Sequence, residues 1–161
     1  MVENQLDKKA EQHHTWLDYV ALALSFFGAL ISSWGAFVTF SSQAQIPEAL
    51  LWPLPGLILL YWALLGLIGL LTTYLSFRQI HVIWLKVTWF VTGTFIPLII
   101  LGAFSIGMGV LIAELLFLIS AIILTIRQRA KWLECLGLLI LGAICSLALL
   151  LITITLGNLS F

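Results

Sequence analysis

One acidic side chain lies inside a long apolar stretch of this sequence, and it is the residue best placed for buried chemistry. Glu114 occurs in GMGVLIAELLFLISAIILT, where every other residue is uncharged. An ionised acid at the centre of a membrane-spanning helix costs about 2.5–3.5 kcal/mol, and such residues often mark proton or ion pathways. Apolar surroundings favour a neutral, hydrogen-bonded carboxyl. We therefore treat Glu114 as a candidate intramembrane polar site.

Four other residues are expected near this carboxyl. Pro97 has no backbone N–H, so its helix is expected to kink and the carbonyl of Gly93 loses its usual donor. Counting along an antiparallel helix pair places Glu114 within one helical turn of Pro97. If the carboxyl is a neutral group that joins helices, it can donate to the Gly93 carbonyl. It can also accept a hydrogen bond from Thr94 or Tyr61. The alternative is a proton or cation site.

No arrangement of residues indicates catalysis. The sequence contains no Gly-x-Ser-x-Gly, no His-Glu-x-x-His and no glycine-rich phosphate loop, and no histidine falls inside an apolar segment. His13 and His14, with Glu11, could face the same side as His81, but adjacent histidines rarely converge on one metal ion. We expect no enzyme activity, no cofactor and no metal site.

The composition identifies an integral membrane protein. The chain has 161 residues, of which 62% are hydrophobic and 9% charged, whereas about a quarter of the residues in a soluble domain are charged. The formal net charge is zero, so no basic face is available for nucleic acid. The lipid bilayer is the first partner that the composition implies.

Five segments are long and apolar enough to cross a membrane as helices, which requires about 20 residues each. They cover about residues 16–40, 50–75, 84–105, 107–126 and 132–156. The third and fourth are divided at SIGMG, where Gly107 and Gly109 can supply a tight turn. The expected fold is an all-α bundle of five transmembrane helices. It forms a single domain, 16–161, after a polar tail, 1–15.

The basic residues indicate how the chain is threaded. With five spans, all seven Lys and Arg side chains fall on one side of the membrane: Lys8, Lys9, Arg78, Lys86, Arg127, Arg129 and Lys131. Because basic residues concentrate in cytoplasmic loops, we expect the N-terminus to be cytoplasmic and the C-terminus outside. Short loops and this charge distribution suit a bacterial plasma (inner) membrane.

Two acids occur near the same surface. Asp18 and Glu134 lie within one turn of the start of their spans. Long side chains there can reach the aqueous interface. We expect both acids to form exposed ion pairs with nearby bases, namely Lys8, Lys9, Arg129 or Lys131.

Small residues follow one face of the first span. This helix-packing seam consists of Ala21, Ser25, Gly28, Ser32, Gly35, Ala36 and Thr39. Small side chains let membrane helices approach closely. The second span offers Gly66 and Gly69, and the fifth offers Gly142 and Ser146. The partner of the seam could be another helix of this chain or a different subunit.

The residues favour a protein without catalysis. The main hypothesis is an accessory, assembly or interaction subunit of a larger membrane complex, bound to other membrane subunits or to copies of itself. The seam, the short loops and the lack of a reaction centre support it. The alternative is a small oligomeric transporter or channel for a proton, a cation or a lipophilic solute, using Glu114 near Pro97.

Overall fold

The computed structural model describes residues 16–45, 54–78, 82–102 and 108–159, and its five elements are all α-helices. They are α1 (Trp16–Gln43), α2 (Leu54–Arg78), α3 (Val82–Gly102), α4 (Met108–Gln128) and α5 (Trp132–Leu159). No strand occurs within these ranges. Each helix is long and apolar enough to cross a membrane. The prediction of an all-α bundle of five membrane-spanning helices is confirmed.

The helices follow from the composition of their segments. They contain 21 to 28 residues, which matches the length needed to cross the hydrocarbon core. A helix satisfies its backbone polar groups internally, as lipid surroundings require. The observed ends differ from the expected spans by four residues or fewer. α3 continues past its internal proline, Pro97, as far as Gly102.

The expected turn between the third and fourth spans needs one correction. Residues 103–107, including Gly107, lie outside the described residues. Gly109 is not part of a turn, because α4 already begins at Met108. A Cβ at Gly109 would lie 3.7 Å from the ring of Trp62.

The first four helices form a ring, and the fifth packs on its outside. α1 contacts α2 and α4 extensively, and α3 contacts the same two helices. α5 packs mainly against α3, with a smaller contact to α2. The interior of the ring formed by α1 to α4 is therefore the part of the fold that is enclosed by helices of the chain.

Paired contacts define the register between helices. α1 and α4 are antiparallel: Ser25 lies beside Ser120, and Gly28 lies against Phe117. α3 and α5 both start at the same end of the bundle. We call this end the basic end, because it carries the described basic residues Arg78, Lys86, Arg127, Arg129 and Lys131.

Two glycines allow α3 and α5 to touch through their backbones. A Cβ at Gly93 would overlap the carbonyl group of Leu139, and a Cβ at Gly142 would overlap that of Phe90. Backbone atoms cannot move aside as a flexible side chain can, so both positions require glycine. Small residues at such crossings let membrane helices associate through close packing.

Candidate functional site

A cluster of hydroxyl groups joins α1, α2 and α4 on the side of the bundle interior nearer the basic end. Ser25 Oγ lies 2.9 Å from Thr73 Oγ1 and 2.8 Å from Ser120 Oγ. The Ser120 hydroxyl donates to the carbonyl oxygen of Ala21 at 2.9 Å. All three hydroxyl residues are fully buried. They hydrogen-bond to one another and to the backbone, as buried polar groups in membrane bundles are expected to do.

An aromatic layer follows this hydroxyl cluster. The ring of Phe117 fits between α1 and α2, because a Cβ at Gly28 or at Gly69 would approach the ring to 3.0 or 2.7 Å. Phe117 also stacks on Phe95 of α3, with ring centroids 5.3 Å apart. The two rings close the interior at this level with apolar surface.

The register places Glu114 one turn beyond Phe117, away from the basic end. The next contact of α1 with α2 at that level is Ser32 against Gly66, where a Cβ on the glycine would lie 2.6 Å from the serine Cβ. One turn further from the basic end, Trp62 of α2 packs against Gly35 of α1. Glu114 is therefore level with Ser32, and Trp62 lies about 6 Å further along the bundle, at 1.5 Å of rise per residue.

Three buried polar atoms in this region have no hydrogen-bond partner among the described residues. They are Ser32 Oγ, Trp62 Nε1 and Glu114 Oε2. Glu114 is 6% exposed, Trp62 1% and Ser32 0%. Buried polar atoms without partners are rare in proteins and call for an explanation such as a bound water or ion, or a functional role. We call these three residues the unpaired polar group.

The unpaired polar group shares only Glu114 with the candidate site expected from the sequence, whose other members were Pro97, Gly93, Thr94 and Tyr61. Pro97 is buried on α3, and the stacking of Phe95 on Phe117 places Glu114 level with Leu98, beside Pro97. The hydroxyl of Thr94 donates to the carbonyl of Val91 at 2.6 Å rather than to Glu114.

Gly93, Thr94 and Tyr61 instead meet α5. The hydroxyl of Ser146 donates to the Thr94 carbonyl at 2.8 Å, and the Tyr61 hydroxyl donates to Ser146 at 3.2 Å. Gly93 packs on Leu139 of the same helix. The expected hydrogen bond from Thr94 or Tyr61 to Glu114 is wrong, because the Thr94 hydroxyl bonds to the backbone of its own helix and the Tyr61 hydroxyl bonds to Ser146 of α5.

Asp18 also departs from expectation. It is 1% exposed, and its Oδ1 lies 2.8 Å from the Nη1 atom of Arg127. The prediction of an exposed ion pair is wrong for Asp18. The antiparallel packing of α1 on α4 brings the first turn of one helix beside the last turn of the other, which buries Asp18 and leaves only 13% of the Arg127 side chain exposed.

Glu134 remains at the surface, as expected. Its carboxylate lies 2.8 Å from Lys86 Nζ and 3.8 Å from Lys131 Nζ. About half of the Glu134 side chain is exposed. This pair joins the start of α5 to α3.

The helix-packing seam of α1 lies on the inward face of that helix. Ala21, Ser25, Gly28, Ser32 and Ala36 are buried, and Gly35 and Thr39 are partly buried. The covering side chains come from α2 and α4 of the same chain, as the contacts of Gly28 and Gly35 show. The seam is thus an internal packing surface.

Several residues considered in the sequence lie outside the described residues. They include Glu11, His13, His14 and His81, together with Lys8 and Lys9. Within the described ranges, no group of three His, Cys, Asp or Glu side chains is arranged to hold a metal ion.

The fold and the burial pattern define a class. The protein is a multi-pass, helical integral membrane protein whose five helices are each long enough to span the bilayer. No protein-family model, curated protein or solved structure matches the chain. Any statement about its function must therefore come from its own residues.

Proposed function

We propose that this protein is a small membrane transporter or channel that binds a proton or a small cation at Glu114. The observation that carries the proposal is the buried Glu114 Oε2, which has no hydrogen-bond partner among the described residues. A buried carboxyl oxygen without a fixed partner can gain and lose a proton, or accept a cation, when the helices around it move.

The position of the site within the fold supports this reading. Glu114 lies inside the ring of α1 to α4 rather than on its lipid side, and Ser32 and Trp62 add further polar atoms nearby. Phe117 and Phe95 separate this region from the hydroxyl cluster. A pathway between the two ends of the bundle would have to pass this aromatic layer, so transport would require the rings to move apart.

The decisive variant is Glu114→Gln, which keeps the size and hydrogen-bonding capacity of the side chain but removes its titration. We expect the purified variant in proteoliposomes to lose pH-dependent flux under an imposed membrane potential. The matched control is Glu134→Gln, which removes the same charge from an exposed acid and should leave the flux intact. Unchanged flux in Glu114→Gln would eliminate the carboxyl as a coupling site.

A second candidate, the accessory or assembly subunit, is favoured by the outer surface of α1. Its lipid-side aromatic residues are Trp16, Tyr19, Phe26, Phe27, Trp34, Phe37 and Phe40, all exposed. Aromatic side chains are enriched where proteins bind one another. Against this role, the small-residue seam is already covered by the chain's own helices. Purification in mild detergent that yields no stoichiometric partner and no oligomer would argue against the subunit.

The orientation proposed with this function places the basic end in the cytoplasm of a bacterial cell, with the protein in the plasma membrane. The five described bases at that end support it. Cys135 is buried, so labelling requires a new thiol. Lys131→Cys, at a side chain that is 84% exposed, should react with an impermeant reagent only after the cells are opened. Reaction in intact cells would reverse the orientation.

A further inference from the structure

A polar cavity opens at the basic end, away from the unpaired polar group. Its volume is about 230 Å³, and it lies between the start of α3, the end of α4 and the start of α5. It is lined by Val82, Lys86, Gln128, Arg129, Ala130, Lys131, Glu134 and Cys135. We call it the interfacial cavity.

The charge of the interfacial cavity is positive. Lys86, Arg129 and Lys131 contribute three cations, and Glu134 contributes the only carboxylate among the lining residues. That carboxylate is already engaged by Lys86 at 2.8 Å. The start of α5 contributes Glu134 and Cys135 to the lining, and the backbone N–H groups of both residues already donate to the Lys131 carbonyl, at 3.1 and 3.3 Å, so the attraction for an anion comes from the three basic side chains.

Arg129 lies where α4 ends. It has φ of 48°, a left-handed conformation that favours glycine or asparagine. Its N–H donates to the carbonyl of Ile126 at 3.3 Å, and the N–H of Ala130 donates to that of Thr125 at 3.2 Å. These two bonds form the Schellman motif that ends α4. The turn brings Arg129 into the lining of the interfacial cavity, between the end of α4 and the start of α5.

The depth of the cavity suggests which anion is available. Residues at the ends of three membrane-spanning helices build it, so it lies where the helices leave the hydrocarbon core. Trp132, 45% exposed, is next to it, and tryptophan prefers the level of the lipid headgroups. The exposed apolar side chains Val82, Ile83 and Leu133 lie close by and can contact acyl chains.

We propose that the interfacial cavity binds the phosphate group of an anionic membrane lipid, with Arg129 and Lys131 as its principal ligands. A guanidinium can hold two phosphate oxygens at once, and a lysine adds a point charge. Basic pockets between helices at the membrane surface are suited to such headgroups. The negative charge of Glu134 repels the phosphate and so weakens its binding. The ion pair with Lys86 holds that carboxylate against α3. This site is independent of transport through Glu114.

The test measures the binding of phosphatidylglycerol and phosphatidylcholine to the detergent-purified full chain by native mass spectrometry. We expect preferential binding of phosphatidylglycerol. Arg129→Asn, which suits the left-handed backbone, and Lys131→Gln should each weaken it about fivefold, since a base near an anionic surface contributes about 1 kcal/mol. Glu134→Gln should strengthen it by a similar factor.

The matched control is Arg78→Gln, which removes a base from the same end of the bundle but outside the cavity. It should leave phosphatidylglycerol binding unchanged. Equal weakening by Arg78→Gln would show general charge attraction and overturn the site. Competition by inorganic phosphate at the same concentration as the lipid would assign the cavity to free phosphate and overturn the lipid assignment. Unfolding temperatures of all variants identify any that fail to fold, and the gain expected for Glu134→Gln cannot arise from misfolding.

Discussion

Asp18 and Glu114 are both buried carboxyl groups on the inward faces of neighbouring helices, but their surroundings differ. Asp18 Oδ1 forms an ion pair with Arg127 Nη1 at 2.8 Å, whereas no ion pair within the described part of the chain includes Glu114. The charge of Asp18 is balanced inside the structure, so its ionised form can contribute to folding. Among the described residues, Glu114 has no counter-charge of this kind. The difference distinguishes an acid that pairs two helices from the acid that we propose as a proton or cation site.

The largest expected effect concerns the paired acid. Asp18→Asn leaves the guanidinium of Arg127 buried without its counter-charge, and breaking a buried ion pair costs about 3–5 kcal/mol. We expect a much lower unfolding temperature in detergent, followed by circular dichroism. Replacing both partners, Asp18→Leu with Arg127→Leu, should recover most of the loss, because the penalty comes from the unpaired charge. Full stability of Asp18→Asn alone would show that the pair does not hold α1 to α4.

An effect of opposite sign is expected for the unpaired acid. Glu114→Leu replaces a buried polar group by an apolar side chain of similar size, and an unsatisfied buried group costs about 1–3 kcal/mol. The variant should unfold at the same or a higher temperature than the unmodified protein while losing the proposed transport. A clear fall in the unfolding temperature would mean that the carboxyl stabilises the bundle, and the contrast with Asp18 would disappear.

The smallest effects concern two serines, Ser120 of α4 and Ser32 of α1. The first is hydrogen-bonded to another helix, and the second has no hydrogen-bond partner among the described residues. Ser120→Ala removes a hydroxyl that bonds to Ser25 and to the Ala21 carbonyl, and such interhelical bonds contribute about 0.6 kcal/mol on average. Ser32→Ala removes a hydroxyl without a hydrogen-bond partner among the described residues, so it should cost less or stabilise. Equal losses in the two variants, measured by thermal unfolding, would contradict the assignment of Ser32 to the unpaired polar group.

The fold could be predicted from the sequence because hydrophobic length is a strong local signal. Runs of about 20 apolar residues leave few alternatives to a spanning helix, and the small residues of α1 marked a helix-packing face in advance, although not whether another helix of this chain or a different subunit would cover it. The level of Glu114 beside Pro97 also followed from counting residues back from the turn. These inferences need only helix geometry and an antiparallel arrangement of neighbours.

The contacts of the site could not be predicted, because they depend on which helices pack together. The hydroxyl of Tyr61 pairs with Ser146 because α5 packs on α3, and no local pattern reveals that choice. Asp18 looked like a surface residue for the same reason, since its burial depends on the position of α4. Trp62 and Ser32 gave no signal of their own, because an unpaired atom is recognised only when its surroundings are known.

The packing of α5 on α3 has a consequence for how the chain is made. α5 is synthesised after α1 to α4 and contacts mainly α3, through the glycines Gly93 and Gly142. The seam, the aromatic layer and the buried ion pair all join helices of the ring without α5. We therefore expect the ring to be able to form before α5 docks on it, and a substitution at Gly142 to spare the ring and release only α5.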